Sequence, residues 1–175
     1  MVVQFLRNNK YSAILILVLR LYVGYEWITS GYEKLTGGFD ASGFLKGGIA
    51  KATGAHPAVQ AWWASFLTHF ALPNVGLFNF LIPWGELLVG LGLIIGFLPK
   101  TAVFFAMVMN FAYLFSGTVS TNPQLVILSM FILLAGANAG KWGVDGLLNH
   151  YNIHIFPKFP SAPNTPHSDG TKRVA

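Results

Sequence analysis

Residues Phe78 to Leu98 form an apolar stretch broken only by Asn79 at its start and by one carboxylate, Glu86. About 20 residues are what a helix needs to cross the hydrocarbon of a bilayer, so the stretch reads as a membrane span. A carboxylate inside a span costs roughly 2.5 to 3.5 kcal/mol on insertion, so it faces protein or trapped water and marks a functional position.

The rest of the chain agrees with that class. Hydrophobic residues make up 54% of it and charged residues 10%, the balance of an integral membrane protein with one domain. There is no cysteine, which excludes disulfides, thiolate nucleophiles, iron–sulfur clusters, covalently attached haem and a membrane enzyme of the thiol–disulfide type. The net charge of +5 reports topology, and no basic run supports nucleic acid as a partner.

Arg7 and Lys10 precede an apolar run from Ala13 to Ile28 that resembles a secretory signal, but Arg20 interrupts it and no small-residue cleavage site follows. A retained first span is expected. Arg20, Gly24, Trp27, Gly31 and Lys34 share one helical stripe, and Tyr22, Glu26, Ser30 and Glu33 another. After the breaker Gly37-Gly38, Asp40 is placed to cap a short helix reaching Lys51. Beyond Pro57, the spacing of Val59, Trp62, Trp63, Phe66, Leu67 and Phe70, with Gln60, Ser65, Thr68 and His69 opposite, predicts an amphipathic helix flat on the membrane surface.

Pro99-Lys100 turns into a third span carrying a lone Asn110, and Asn122-Pro123 opens the fourth. Both are short and must borrow flanking residues, Gly117 to Ser120 and Gly136 to Trp142. The expected fold is all-α: an integral membrane four-helix bundle over 1–150, with spans at about 12–32, 78–98, 101–118 and 123–140. An extracytoplasmic interfacial helix lies between the first two spans, and residues 151–175 form a cytoplasmic tail, largely disordered. Arg7, Lys10, Lys100, Lys141, Lys158, Lys172 and Arg173 share one side against Lys34, Lys46 and Lys51, which puts both termini in the cytoplasm of a multi-pass cell-membrane protein.

At about 1.5 Å per residue, Glu86, Glu26 and Ser129 lie roughly 10 to 12 Å below the outer surface, and Asn110 and Arg20 roughly 15 to 20 Å. Two readings of this layer compete. In one, Arg20 pairs with an acid while Asn110 and Ser129 bond across helices and merely hold the bundle together. In the other, a hydrated cavity opens outward and a buried carboxylate exchanges protons with a substrate. The long Arg20 side chain can reach toward the acids or toward the cytoplasm.

His56, His69, His150, His154 and His167 all fall outside the spans, so neither haem nor a metal is expected, and a redox role would need quinone as its diffusible carrier. Gly90, Gly92 and Gly96 lack the strand of a nucleotide fingerprint; Gly92 and Gly96 read as close helix packing. Trp62, Trp63, Trp84 and Trp142 fall near predicted interfaces, where anchoring explains them.

Arg20 followed by Gly31-Tyr32-Glu33-Lys34-Leu35, Glu86 in a glycine-rich second span, and Gly140-Lys141-Trp142-Gly143-Val144-Asp145 after the fourth together resemble the DoxX/DoxD family of small four-span membrane proteins. The likeness runs to about Leu148. It implies the membrane subunit of a thiosulfate:quinone oxidoreductase, which oxidises thiosulfate to tetrathionate and reduces quinone. On that footing Glu86, Arg20 and Glu26 are the candidate catalytic residues, with Glu86 relaying protons. Lys34, above Arg20 on its stripe, would hold the small anionic sulfur substrate; Trp27 and Trp84 would flank a flat ring, and Asn110 completes the substrate-binding set. A second membrane or soluble redox subunit, or a further copy of the chain, stands beside the bilayer as partner. Two alternatives stay open: a non-catalytic scaffold docking a soluble redox or thiol-stress enzyme, and a small-solute carrier.

Overall fold

The computed structural model describes residues 1–153; the rest of the expected disordered tail lies outside the described residues. Among the described residues there are eight helices and no strand. They are α1 (Val2–Asn8), α2 (Lys10–Thr36), α3 (Ser42–Ala50), α4 (Ala61–Phe66), α5 (Val75–Ile95), α6 (Pro99–Phe115), α7 (Asn122–Leu134) and α8 (Val144–His150). Leu67–Ala71 continues α4 as a π-helical turn and Gly136–Gly140 follows α7 as a 3₁₀ turn. By length and composition α2 and α5 can cross a membrane; α6 and α7 are shorter apolar helices.

α2, α5, α6 and α7 pack in a closed circuit, each against two of the others. An apolar cluster between them is built on Ile16, Val23, Trp27, Val89, Leu93, Val103, Ala106, Leu125 and Ile132. The closest approach is between α2 and α5. A Cβ on Gly90 would lie 2.6 Å from the Ile28 nitrogen and 2.7 Å from the Gly24 carbonyl oxygen, and one on Gly31 would lie 2.7 Å from the Leu87 nitrogen. Only glycine lets the two backbones come this near. Gly92 and Gly96 do something else. Gly92 faces Phe97 and Ala102 at the turn into α6, while Gly96, at φ +69°, ends α5 in the left-handed conformation.

One end of the circuit is covered by a lid of α3, α4 and the π turn over a second core of Ala41, Leu45, Leu67 and Ala71. Asp40 accepts a hydrogen bond from the Ser42 amide at 3.1 Å, while Asn79 accepts from the Ala41 amide at 2.7 Å. Bonds from the Ser42 hydroxyl and amide, and from Asn79, hold the Asp40 carboxyl below the usual range. The helix expected from the Val59–Phe70 periodicity is present as α4 and its π-helical continuation, over 61–71. Its polar residues Ser65, Thr68 and His69 are exposed as expected. Its apolar stripe is divided: Leu67 is buried in the second core, whereas Trp62 and Phe70 are half exposed.

The opposite end, the base, is a knot of backbone carbonyls answered by side chains. α2 starts at a break where Asn9 accepts from the Tyr11 amide at 2.8 Å. Asn138 donates into the same break, to the Leu6 carbonyl at 2.8 Å and to the Ser12 hydroxyl at 3.0 Å. α6 stops at Phe115 and α7 at Leu134, so of the residues expected to lengthen these spans only Gly136–Gly140 is helical, and as 3₁₀.

Candidate functional site

Glu86 lies on the face of α5 turned toward α2 and α6 and is 1% exposed. Its Oε2 accepts from the Lys34 ammonium at 2.8 Å and its Oε1 from the Tyr113 hydroxyl at 2.6 Å. Lys34 also donates to the Ser30 hydroxyl at 2.6 Å, one helical turn below it on α2. This is the one salt bridge among the described residues. A carboxylate so deep is tolerable because both oxygens are answered, one by a cation.

Glu86 and Tyr113 form part of the boundary of a polar cavity of about 290 Å³, lined also by Glu26, Trp27, Ser30, Glu33 and Asn122 among others. Glu26 is half-buried in its wall, as its helical stripe predicted. Three carboxylates face this space, and the neighbouring ammonium is already shared between Glu86 and Ser30. Its field favours cations and protons over anions.

The other expected residues are dispersed. Arg20 is 1% exposed but lies at the base, donating from Nη1 to the Ala139 carbonyl at 2.6 Å and from Nη2 to the Trp142 carbonyl at 2.7 Å. Fourteen residues of helix separate it from Lys34, about 21 Å, so of its two reaches it takes the one away from the acids. Its guanidinium fills the space over Gly96, where a Cβ would lie 2.5 Å from Nη1. The same turn is held by Asp145, which accepts from the Leu98 amide at 3.0 Å and donates its own amide to the Gly96 carbonyl at 3.0 Å. Trp27 walls the polar cavity, its indole N–H buried without a partner. Trp84 instead stands 43% exposed on the outer face beside Phe80, so the two tryptophans do not flank a common ring. Asn110 and the Ser129 hydroxyl are buried with no bond across helices; Asn110 does not line the cavity.

Tyr113 was missed by sequence reasoning. The signal was available: it lies three residues beyond Asn110, on the same face of α6. Lys34 was assigned to a substrate anion, yet its ammonium is taken by Glu86 and Ser30.

The motif residues therefore form two clusters, Lys34 with Glu86 near the lid and Arg20 with the Gly140–Asp145 loop at the base. The family model described as DoxX matches residues 15–118, over half of the chain. The chain belongs to the DoxX family. The match makes it a membrane protein and spans α2 to the turn after α6, including the whole Lys34–Glu86–Tyr113 triad of this DoxX domain. No curated protein and no solved structure matches the chain.

Proposed function

We propose that this DoxX protein is the membrane subunit of an oxidoreductase that passes electrons from thiosulfate, or a similar small sulfur donor, to membrane quinone. In this reading α2, α5, α6 and α7 all cross the bilayer, the lid is extracytoplasmic and both termini are cytoplasmic. Arg7, Lys10, Lys100 and Lys141 at the base, against Lys34, Lys46 and Lys51 toward the lid, support that orientation.

The observation that carries the reading is Glu86, buried and bonded to both Lys34 and Tyr113 beside a polar cavity. Two thiosulfate ions release two electrons as the sulfur–sulfur bond of tetrathionate forms. One quinone takes those electrons with two protons, and a buried carboxylate in a hydrogen-bonded chain is suited to deliver protons. The acid-lined cavity repels a dianion, so donor oxidation falls to a partner subunit and this chain serves the quinone side.

The test is thiosulfate-dependent quinol formation in membranes holding the full chain with its native neighbours. Glu86→Gln should lower the rate about a hundredfold or more at unchanged chain abundance, the range expected for loss of a proton-transferring group. A rate indifferent to deletion of the chain sinks the reading. One observation favours a scaffold instead: Arg20 and Lys34 are both committed to internal partners. A scaffold would still retain its soluble partner when Glu86→Gln is introduced, with no quinone chemistry to lose.

A further inference from the structure

Tyr113 belongs to the walls of two cavities. Besides the polar one, the lid, α5 and α6 enclose an apolar groove of about 530 Å³, well within the size range of small-molecule sites. Leu81, Leu88, Phe105 and Val108 line it and are each at least half exposed on the outer surface. The groove therefore opens sideways, between α5 and α6, toward the surface a membrane protein turns to lipid.

Three of its lining side chains carry a polar atom: Trp63, Tyr113 and Ser116. The Trp63 indole N–H donates to the Ser116 hydroxyl at 2.9 Å, which itself donates to the Ala112 carbonyl at 2.8 Å. Those two groups satisfy each other. The Tyr113 hydroxyl spends its proton on Glu86 and keeps lone pairs to accept with. The remaining wall is rich in aromatic rings, with Trp63 stacked on Phe66 at 4.9 Å and Phe44 set edge-on to Tyr113 at 5.7 Å. An acyl chain would gain only dispersion from such walls. A flat ring gains offset or edge contacts as well.

We propose that this groove binds the head of a lipid-soluble ring compound, entering from the bilayer between α5 and α6, and that Tyr113 is the residue through which the ring exchanges protons with the acid-lined cavity. Naming the ring a quinone rests on the function proposed above. On that footing Glu86 takes up a proton from the polar cavity, the Tyr113 hydroxyl turns from Glu86 to donate to a quinone oxygen, and as its proton passes to the reduced quinone the Tyr113 oxygen takes the Glu86 proton in its place. The two electrons come from the sulfur donor, and quinol leaves by the same lateral opening.

The experiment uses the full chain in phosphatidylcholine nanodiscs, titrated with a quinone bearing a ten-carbon tail and read by tryptophan fluorescence quenching. Gly85 lines the groove, and a Cβ there would sit 3.4 Å from the Met109 sulfur. Gly85→Ala should fold and bind like wild type, whereas Gly85→Leu fills the groove and should weaken binding at least tenfold. Tyr113→Phe should bind within about threefold but lose tenfold or more of proton-coupled quinol formation in the membrane assay. Equal quenching of wild type and Gly85→Leu, or quenching by brominated lipid that quinone does not displace, overturns the proposal and leaves the groove a lipid contact. Saturable binding lost in Gly85→Leu, without donor-driven reduction, upholds the groove while the electron-transfer reading fails. Donor-driven reduction unchanged in Gly85→Leu does the reverse.

Discussion

Glu86 shows how a carboxylate survives in an apolar helix: the cost of burying it is offset by one ammonium and one phenol aimed at its two oxygens. The partners are unequal. Lys34 is a quarter exposed, so Glu86→Gln releases it to water, whereas Lys34→Ala strands the charge of a nearly fully buried acid. We expect Lys34→Ala to cost about 2 to 3 kcal/mol, below the 3 to 5 typical of a fully buried pair because Lys34 already meets solvent. Glu86→Gln should cost clearly less. Thermal unfolding of both variants in detergent checks the order, and equal losses would mean that the pair is solvated in the native protein. Glu86 stood out in the sequence because an acid in a span is rare; its pairing with Lys34 did not. Arg20 and Lys34 lie on one stripe of α2, and only the register of α2 against α5 decides which cation meets the acid.

At the scale of elements, that register is set by glycine. Gly24 and Gly31 on α2 meet Gly90 and the Pro83–Leu87 backbone on α5, which brings Lys34 level with Glu86 and sends Arg20 to the turn at Gly96. Close packing through small residues was expected of α5, but at Gly92 and Gly96; spacing alone does not distinguish a glycine facing a helix from one facing a turn. Arg20 then becomes a clasp. Its two N–H groups hold the Ala139 and Trp142 carbonyls, tying the loop after α7 to α2. Lysine cannot span both with a planar fork. Arg20→Lys should therefore cost about 1 to 3 kcal/mol, the penalty of an unanswered buried polar group. Hydrogen exchange of the 136–145 amides should accelerate in this variant while quinol formation stays within about twofold of wild type. A collapse of activity with normal exchange would restore Arg20 to the reaction.

At the scale of the whole molecule, the polar cavity and the apolar groove share the Tyr113 wall, and the base holds the helices in place beneath them. In the proposed orientation the lid and the base face opposite sides of a bilayer. The absence of native cysteine makes that directly measurable. Lys46→Cys should react with a membrane-impermeant maleimide on intact cells, and Lys100→Cys only after permeabilisation. The opposite pattern would invert the topology, and reaction of both on intact cells would remove the crossing helices.

Much of this molecule follows from its sequence alone. Long apolar runs need a nonpolar medium and a helix to satisfy their backbone, so helical class, membrane residence, the first two long helices, the Asp40 turn and the exceptional place of an acid at Glu86 are all legible locally. Pairings are not. Which cation reaches Glu86, that Tyr113 is its second partner, that Trp84 faces outward, and that the Gly140–Asp145 loop receives Arg20 each depend on how far two helices slide past one another. That slide is decided by backbone contact at a few glycines, between residues more than fifty positions apart, and nothing in the local pattern around any one of them encodes it.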